Sequence, residues 1–326
     1  MGKEIRISFI LPFYGVESYI GYCLESIYKQ DIPEDEYEVI CVNDCSPDNS
    51  EQIVLDYAAK HSNLRLIRHE RNMKLGAARN TGLKAAKGAF VWFVDTDDYI
   101  EPNCLNHILS CCEQNGLEIF HFGIKNNNGD IVRHLVETDV ITGPEEECIS
   151  KRQQSIEITF PWNRVYNRQF LLDNNLWFND LYGGDVIHTI LAVNVCNRIK
   201  NEDAFYYLYR VDNYSSDTHS TQTAEKIFNM SFVLAQAVDN ILPEIKPEWK
   251  NLVAECAPWR VNASVKGILK LSHSELKRLY ELLHENKELY QFIKRVGNRN
   301  IRFILEHPLL TRLMSVIYKT AYKIKS

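Results

Sequence analysis

Hydrophobic and polar positions alternate regularly over the first hundred residues. Short apolar runs of strand length recur, and the segments between them carry apolar residues at the spacing of three and four that is typical of helices. The pattern predicts strands at 5–11, 37–42, 64–68 and 89–94, with helices at 16–29, 50–60 and 75–86. Because strand and helix alternate, we expect an α/β fold with a mainly parallel sheet and helices on both faces.

The pattern is looser beyond residue 101. It predicts helices at 105–114, 160–172 and 185–195, strands at 117–123 and 204–210, a polar hairpin turn at 126–130, and a surface loop or mobile segment at 142–155. From about residue 224 the apolar positions again fall three and four apart. The expected division is therefore 1–100, 101–220 and a C-terminal helical region at 221–326.

Composition narrows the class of protein. The chain of 326 residues is 45% hydrophobic and 25% charged, an ordinary globular mixture, and its net charge of −6 gives no basic excess for nucleic acid. It has no apolar run of membrane-spanning length, and its N-terminus does not resemble a signal peptide. Nine cysteines without a Cys-x-x-Cys spacing fit a reducing cytosol, so we expect a cytoplasmic protein.

Three acidic residues follow the fourth predicted strand. Asp95, Asp97 and Asp98 come directly after the apolar run 90–94. The carboxyl ends of strands are where open α/β sheets bind ligands. Carboxylates concentrated there repel one another, and their oxygens suit Mg²⁺ or Mn²⁺. A metal site is one interpretation, and a solvated acidic turn is the other.

Aromatic and acidic residues also follow the first two strands. Those after the first strand are Pro12, Phe13, Tyr14 and Glu17. Asp44 follows the second strand. An aromatic ring beside an acceptor carboxylate suits a nucleobase, because the ring stacks while Asp44 accepts a hydrogen bond from a base N–H such as uracil N3. Alternatively, Asp44 caps the helix that starts near Asn49.

The third helix begins with small residues, at 76–78. They allow a ligand to approach closely, and Lys74 and Arg79 add positive charge to a helix N-terminus, which suits a phosphate. In the alternative interpretation, the small residues pack against the sheet and Arg79 forms a surface ion pair. The chain lacks the Gly-rich motifs of dinucleotide enzymes and P-loop NTPases.

Four segments together carry a resemblance to a known family. They are 7–14 (ISFILPFY), 42–50 (VNDCSPDNS), 76–82 (GAARNTG) and 93–98 (FVDTDD). Their order and spacing resemble the family 2 glycosyltransferases, which have the nucleotide-diphospho-sugar (GT-A) fold. The resemblance is specific over residues 5–100, is weaker to about 220 and fades beyond. It implies that residues 1–100 bind the nucleotide sugar and that residues 101–220 form the acceptor side.

The resemblance also implies an activity and its residues. The activity is transfer of a sugar, with inversion, from a nucleotide sugar such as a UDP-sugar to a hydroxyl acceptor. Asp44 would read the base, and Asp95 and Asp97 would hold Mn²⁺ or Mg²⁺ between the phosphates. The nucleotide pocket would be lined by Pro12, Phe13, Tyr14 and Glu17. Two positions depart from the family: Gly15 replaces its usual Asn, and Gly184 often corresponds to Glu.

A carboxylate is needed to take the proton of the acceptor hydroxyl in an inverting displacement. By resemblance this base is Asp185, whereas the residues alone also permit a helix-capping role. A late histidine, His219, is a candidate metal ligand or a solvated loop residue. His188 lies three positions after Asp185. Trp162 could face the acceptor, although the core is favoured. Tyrosines that could stack on sugars, or simply favour a strand, are Tyr206, Tyr207, Tyr209 and Tyr214.

Residues 309–326 combine apolar and basic residues without an acidic one. Such a helix suits either a peripheral membrane contact or packing on the catalytic domain. A lipid-linked glycan acceptor would make membrane contact useful, and the family suggests a bacterial surface polysaccharide as the product. Two rival functions remain: a nucleotidyltransferase on a related fold and a non-catalytic protein that binds sugar nucleotides.

Overall fold

The computed structural model describes residues 4–142, 160–179, 184–213, 223–247, 250–254 and 256–325. The chain divides into two compact units. The first consists of Met1–Asp180 and His188–Tyr214, and the second consists of Leu181–Ile187 and Ser215–Ser326. Most of the predicted surface loop, residues 143–155, lies outside the described residues. The predicted boundaries at residues 100 and 220 stay predictions.

The first unit is built on a mixed sheet. Its first four strands are β1 (Ile7–Phe13), β2 (Tyr37–Asn43), β3 (Leu64–Arg68) and β4 (Phe90–Phe93). They are parallel and lie in the order β3-β2-β1-β4. Every residue of β1, β2 and β4 is buried, as expected of parallel strands that are covered on both faces.

Four helices follow these strands: α1 (Ile20–Ile27), α2 (Ser50–Ala58), α3 (Lys74–Ala85) and α4 (Leu105–Asn115). Helix α3 lies unusually close to β1. A Cβ atom at Gly82 would lie 2.3 Å from Cγ2 of Ile10, so only glycine permits this approach. The close packing sets the position of the N-terminal half of α3, which carries candidate site residues.

Strand β1 continues through Pro12, where the sequence predicted its end. Proline removes a donor from the ladder of a sheet. On the β4 side, however, the last paired residues are Ile10 and Phe93, so Pro12 lies beyond the end of that ladder. The missing N–H therefore costs no ladder hydrogen bond to β4.

The sheet continues through β4-β9-β6-β10-β5, with β7 paired to β6 and β8 to β10. The added strands are β5 (Tyr99–Ile100), β6 (Ile119–Asn126), β7 (Ile131–Arg133), β8 (Ile141–Thr142), β9 (Arg164–Asn167) and β10 (Arg198–Tyr209). Strands β6 and β7 form the predicted hairpin. Helix α5 (Arg168–Asp173) follows β9, and helix α6 (Gly184–Val195) has its first turn in the segment of the second unit and the rest in the first unit.

The helix predicted at 160–172 is only partly correct. The structure has strand β9 there, followed by the short helix α5. Strand β9 is antiparallel to both of its neighbours, β4 and β6, and its residues Val165 and Tyr166 are fully buried. A strand of four residues is too short to show a period of two, and the helix that follows directly dominates the pattern.

The second unit is helical, as predicted from residue 224 onward. Its helices are α7 (Ala224–Ile227), α8 (Leu234–Ile241), α9 (Lys250–Ala254), α10 (Cys256–Lys270), α11 (His273–Glu285), α12 (Lys287–Val296), α13 (Arg299–Glu306) and α14 (Pro308–Lys325). Ser272, Asn286 and Asn298 cap α11, α12 and α13 through their side-chain oxygens. Within the described residues, no helix is both long and apolar enough to cross a membrane.

Candidate active site

The carboxyl ends of β1, β2 and β4 meet at one edge of the sheet, with β1 between the other two. Just beyond the strands, the N–H of Asp44 donates to the carbonyl of Phe13 at 3.0 Å. The hydroxyl of Thr96 donates to the carbonyl of Pro12 at 3.1 Å. The segments that carry Asp44 and residues 95–98 therefore both contact the end of β1.

Asp98 is the buried member of the acidic segment, with 2% of its surface exposed. Its carboxylate accepts hydrogen bonds from the Tyr207 hydroxyl at 2.8 Å and from the Arg210 N–H at 2.7 Å. Burial, and then the charge of Asp97, raises the pKa of the Asp98 carboxyl. Asp98 therefore joins the loop to the end of β10, and the interpretation as a solvated turn is wrong for this residue.

Asp95 and Asp97 are only partly buried, and each is oriented by a different side chain. Nη2 of Arg79 donates to Oδ1 of Asp95 at 2.6 Å. Nδ2 of Asn213 donates to Oδ2 of Asp97 at 2.9 Å, and Nε of Arg210 donates to the Asp97 carbonyl at 2.8 Å. Asp95 and Asp97 therefore have different hydrogen-bond partners.

Arg210 is held by three tyrosine rings. Its guanidinium carbon lies 5.2, 5.5 and 5.3 Å from the ring centroids of Tyr19, Tyr22 and Tyr99. A guanidinium within about 6 Å of a ring centroid is attracted by the ring. This arrangement fixes the group that donates to the Asp97 carbonyl.

The donor chemistry of Asp95 and Asp97 fits a divalent cation such as Mn²⁺ or Mg²⁺. Their charges both raise the pKa of Asp98, so negative charge accumulates at the tip of β4. The described residues contain no group of three or more His, Cys, Asp and Glu side chains arranged for a metal ion. A cation here would need further oxygen ligands, which phosphates or water supply. His219 lies outside the described residues.

Asp44 is buried and acts as a cap, but at a different helix from the one predicted. Its Oδ1 accepts hydrogen bonds from Nδ1 of His69 and from the Met73 N–H, both at 2.7 Å. Its Oδ2 accepts from the Lys74 N–H at 2.8 Å. Asp44 therefore fixes the start of α3, while α2 has Asp48 near its start. A carboxylate has about four acceptor positions, so base recognition stays a prediction.

At the start of α3, Ala78 is fully buried, as the packing interpretation expected, and a phosphate site stays a prediction. Asp44 already accepts from the N–H groups of Met73 and Lys74, which reduces the capacity of this helix end for a phosphate. The side chain of Lys74 is exposed, whereas Arg79 is fully buried and lies 5.1 Å from the Phe178 ring. The predicted surface position of Arg79 is therefore wrong, because its guanidinium is fully buried and pairs with the partly buried Asp95.

The four predicted pocket residues have different environments. Pro12 and Phe13 are buried, and Phe13 belongs to the hydrophobic core. Tyr14 is 50% exposed, so it is the ring available to a nucleobase. The Glu17 carboxylate accepts from the Asn49 N–H at 2.9 Å and so joins this loop to the loop after β2. Gly15 has a φ of 66°, a conformation that glycine adopts readily and asparagine tolerates.

Asp185 lies in the first turn of α6 and is partly buried. A carboxylate there is stabilised by the helix dipole. His188, one turn later, is buried and stacks on Phe178 with ring centroids 3.9 Å apart. Burial, and then the charges of Arg79 and Arg164, lowers the pKa of His188 to about 3. His188 is therefore a neutral core residue at ordinary pH.

The sequence pattern did not identify several residues that hold the acidic segment 95–98 in place. Tyr207 was predicted only as a sugar-stacking or strand residue, yet its hydroxyl binds Asp98 and also accepts from the Asp95 N–H at 3.2 Å. Trp162 lies in the core, as favoured, and stacks on Tyr207 at 4.3 Å. Arg210 follows β10 directly, but its partners Asp97 and Asp98 lie over a hundred residues away in the chain. Tyr214 lies outside the described residues.

Comparison with known proteins places this geometry in context. The model of the family described as "Glycosyl transferase family 2" matches residues 8–173. An uncharacterized glycosyltransferase of Bacillus subtilis, EpsJ, is 33% identical over 211 residues, which cover 63% of this chain and 60% of that protein. The poly(ribitol-phosphate) β-N-acetylglucosaminyltransferase TarS of Staphylococcus aureus is 29% identical over 344 residues, covering 92% of this chain and 59% of TarS.

A crystal structure of S. aureus TarS residues 1–349 with UDP-GlcNAc superposes with a TM-score of 0.69 and 24% identity. The match covers 97% of this chain and 92% of that one. This likeness confirms the predicted α/β fold with C-terminal helices. The chain spans about three fifths of the length of the curated relatives EpsJ and TarS.

Proposed function

Because this chain belongs to glycosyl transferase family 2, as its motifs predicted, we propose that it transfers a sugar from a nucleotide sugar to a hydroxyl acceptor. One observation carries the proposal. The loops that bear Asp44 and the pair Asp95 and Asp97 both contact the end of β1, which supports a site in which Asp44 reads the base and the pair holds a cation near the phosphates. We assign a UDP-sugar as donor, in keeping with the UDP-GlcNAc in the TarS structure.

The proposed pocket uses Tyr14 to stack on the base and Asp44 to accept its N–H through the remaining lone pair. Lys74 supplies an exposed positive charge for phosphate oxygens, whereas Arg79 acts by holding Asp95. Pro12, Phe13 and Glu17 shape the loop that carries Tyr14. In a ligand pocket, a small number of precisely placed polar groups fixes the orientation of the ligand.

We assign the divalent ion, Mn²⁺ or Mg²⁺, to Asp95 and Asp97, with His219 as a further candidate ligand. Such an ion supplies charge stabilisation for the diphosphate that leaves in the reaction. The protein's part is to orient the two carboxylates. Arg79 does so for Asp95, and Asn213 and Arg210 do so for Asp97.

The proposed general base is Asp185. In an inverting displacement, the acceptor oxygen bonds to the anomeric carbon as the bond to the diphosphate breaks. The hydroxyl proton must leave at the same time, and the Asp185 carboxylate receives it. Asp185 lies in the first turn of a helix, where the helix dipole favours negative charge.

The acceptor is proposed to be a glycan or a lipid-linked glycan of a bacterial surface polysaccharide, and the site of action to be cytoplasmic. The acceptor proposal is supported by the relatives, whose names include a poly(ribitol-phosphate) glycosyltransferase and a teichoic acid biosynthesis protein. A membrane contact through residues 309–326 is a separate proposal, because its support lies in the helical unit alone.

Calorimetry with UDP tests the metal assignment. We expect Mn²⁺ to strengthen UDP binding by the wild type, and Asp97→Asn to remove at least about tenfold of that gain, equivalent to about 1.4 kcal/mol. Asp139→Asn, at an exposed position in the same unit, is the matched control and should bind like the wild type. Equal affinities for the wild type and Asp97→Asn in Mn²⁺ would count against the assignment.

A panel of UDP-sugars, assayed for transfer and for donor hydrolysis, tests the activity. Asp185→Asn should lower turnover by about 10²–10⁴-fold, the usual contribution of a general base, while UDP binding is retained. Turnover that survives this change would remove Asp185 from the mechanism. A wild type that binds UDP without transfer or hydrolysis would instead favour the non-catalytic binding protein.

A further inference from the structure

The first half of the C-terminal helix α14 exposes apolar side chains. Leu309 is 81% exposed, Leu313 57% and Val316 58%. These positions are four and three residues apart, so they lie on one face of the helix. Leu310 and Met314, which border that face, are also exposed. The helix therefore presents a continuous apolar surface.

Two hydroxyl-bearing residues of α14 face the protein. Thr311 is fully buried and Ser315 is 5% exposed. The Thr311 hydroxyl donates to the carbonyl of His307 at 3.0 Å, and the Ser315 hydroxyl donates to the carbonyl of Leu269 at 2.9 Å, near the end of α10. A helix that only covers a core buries its apolar face. The orientation of α14 is the reverse, and it is fixed by buried hydroxyl groups.

Charge indicates what covers the exposed face. Arg312 is exposed. Positions 319 and 323 are both lysine and lie seven and eleven residues after Arg312, a spacing that repeats along one side of a helix. Residues 309–326 contain no acidic residue, although the whole chain has a net charge of −6. An apolar face with a basic flank complements an anionic lipid surface.

We propose that α14 is an interfacial helix that binds an anionic membrane surface through Leu309, Leu313 and Val316, with Arg312 at the lipid headgroups. The helix lies along the surface, because no described helix is long and apolar enough to span a bilayer. The proposal goes beyond sugar transfer and does not depend on it. It concerns where the helical unit binds.

Vesicle flotation of the full chain tests the proposal. The wild type should float with vesicles that contain phosphatidylglycerol, and less with phosphatidylcholine alone. Its binding should weaken in high salt, where charges are screened over about 3 Å instead of about 10 Å. Leu309→Ser/Leu313→Ser should lower the partition onto anionic vesicles by about tenfold or more. Arg312→Glu/Lys319→Glu should lower binding to anionic vesicles selectively.

Matched variants separate the helix from general effects. Ile131→Ser/Val136→Ser removes exposed apolar side chains elsewhere, and Lys277→Glu/Lys287→Glu makes the same charge change on other helices. Both should float like the wild type, and circular dichroism should show that every variant keeps the wild-type helix content.

Three results would overturn the proposal: no flotation of the wild type, equal flotation of the α14 variants, or equal loss in the matched variants. A concentration-dependent dimer that Leu309→Ser/Leu313→Ser abolishes, without vesicle binding by the wild type, would identify a second copy of this chain as the partner instead.

Discussion

Asp44→Asn should lower the stability of the fold as well as nucleotide affinity. The carboxylate is buried and accepts from Nδ1 of His69, from the Met73 N–H and from the Lys74 N–H. The hydroxyl of Thr81 lies 2.9 Å from Nε2 of His69, which extends the network into α3. A change at Asp44 therefore acts on the whole start of this helix.

The magnitude follows from these contacts. The amide keeps one acceptor oxygen, but its NH₂ group faces a backbone N–H that Oδ2 of Asp44 had accepted. Leaving one buried donor unsatisfied costs about 1–3 kcal/mol, and the bonds that remain lose their charge assistance. Asn72 offers partial relief, because its Oδ1 lies 3.2 Å from the Lys74 N–H. We expect a net loss of about 2–3 kcal/mol.

Urea unfolding followed by tryptophan fluorescence measures this loss, because Trp92 lies in the core of the same unit. Asp139→Asn, at an exposed position, is the control and should leave the midpoint unchanged. An unchanged midpoint for Asp44→Asn would refute the reasoning. Calorimetry with UDP then separates the roles: loss of affinity supports base recognition, and wild-type affinity would leave Asp44 as a cap alone.

Three further predictions concern packing, the loop and pH. Gly82→Ala should destabilise the protein in urea by about 1–3 kcal/mol because its Cβ would overlap β1, whereas Gly21→Ala, with ordinary contacts, should not. Arg210→Ala should weaken Mn²⁺-dependent UDP binding about tenfold in calorimetry through the lost hydrogen bond to the Asp97 carbonyl, equivalent to about 1.4 kcal/mol, and Arg210→Lys should restore part of it. His188 has a folded pKa of about 3 and an ordinary value of 6.5, so protons bind the unfolded state first and stability falls as pH drops through this range. His188→Phe should reduce that slope, measured by urea unfolding, by up to about 1.4 kcal/mol per pH unit, and an unchanged slope would contradict the buried neutral histidine.

Local sequence pattern was sufficient for the parts of the fold that repeat a simple unit. The four parallel strands and their helices follow from apolar runs and from spacings of three and four. It was insufficient for β9, whose first three residues are buried because β4 and β6 lie on either side. Because β4 and β6 are distant from β9 in the chain, the local spacing of apolar residues does not indicate that they flank it.

The candidate site shows the same division. Asp44, Asp95 and Asp97 were identified because they follow strands, and strand ends meet at one edge in a parallel sheet. Their partners were not identifiable in this way. Tyr207 and Asp98 are separated by 109 positions, and Asn213 and Asp97 by 116. Such pairs depend on the path of the chain between β6 and β10, which the sequence pattern described least well.

The short acidic segment also explains why spacing alone does not assign roles. Asp95, Asp97 and Asp98 have the same chemistry, yet their surroundings differ. Asp98 uses both carboxylate oxygens to bind Tyr207 and Arg210, so it connects the loop to β10 and is poorly placed to bind a ligand. Because Asp98 binds Tyr207 and Arg210 through both of its carboxylate oxygens, the partly exposed Asp95 and Asp97 are the members of the segment that we propose to hold a cation.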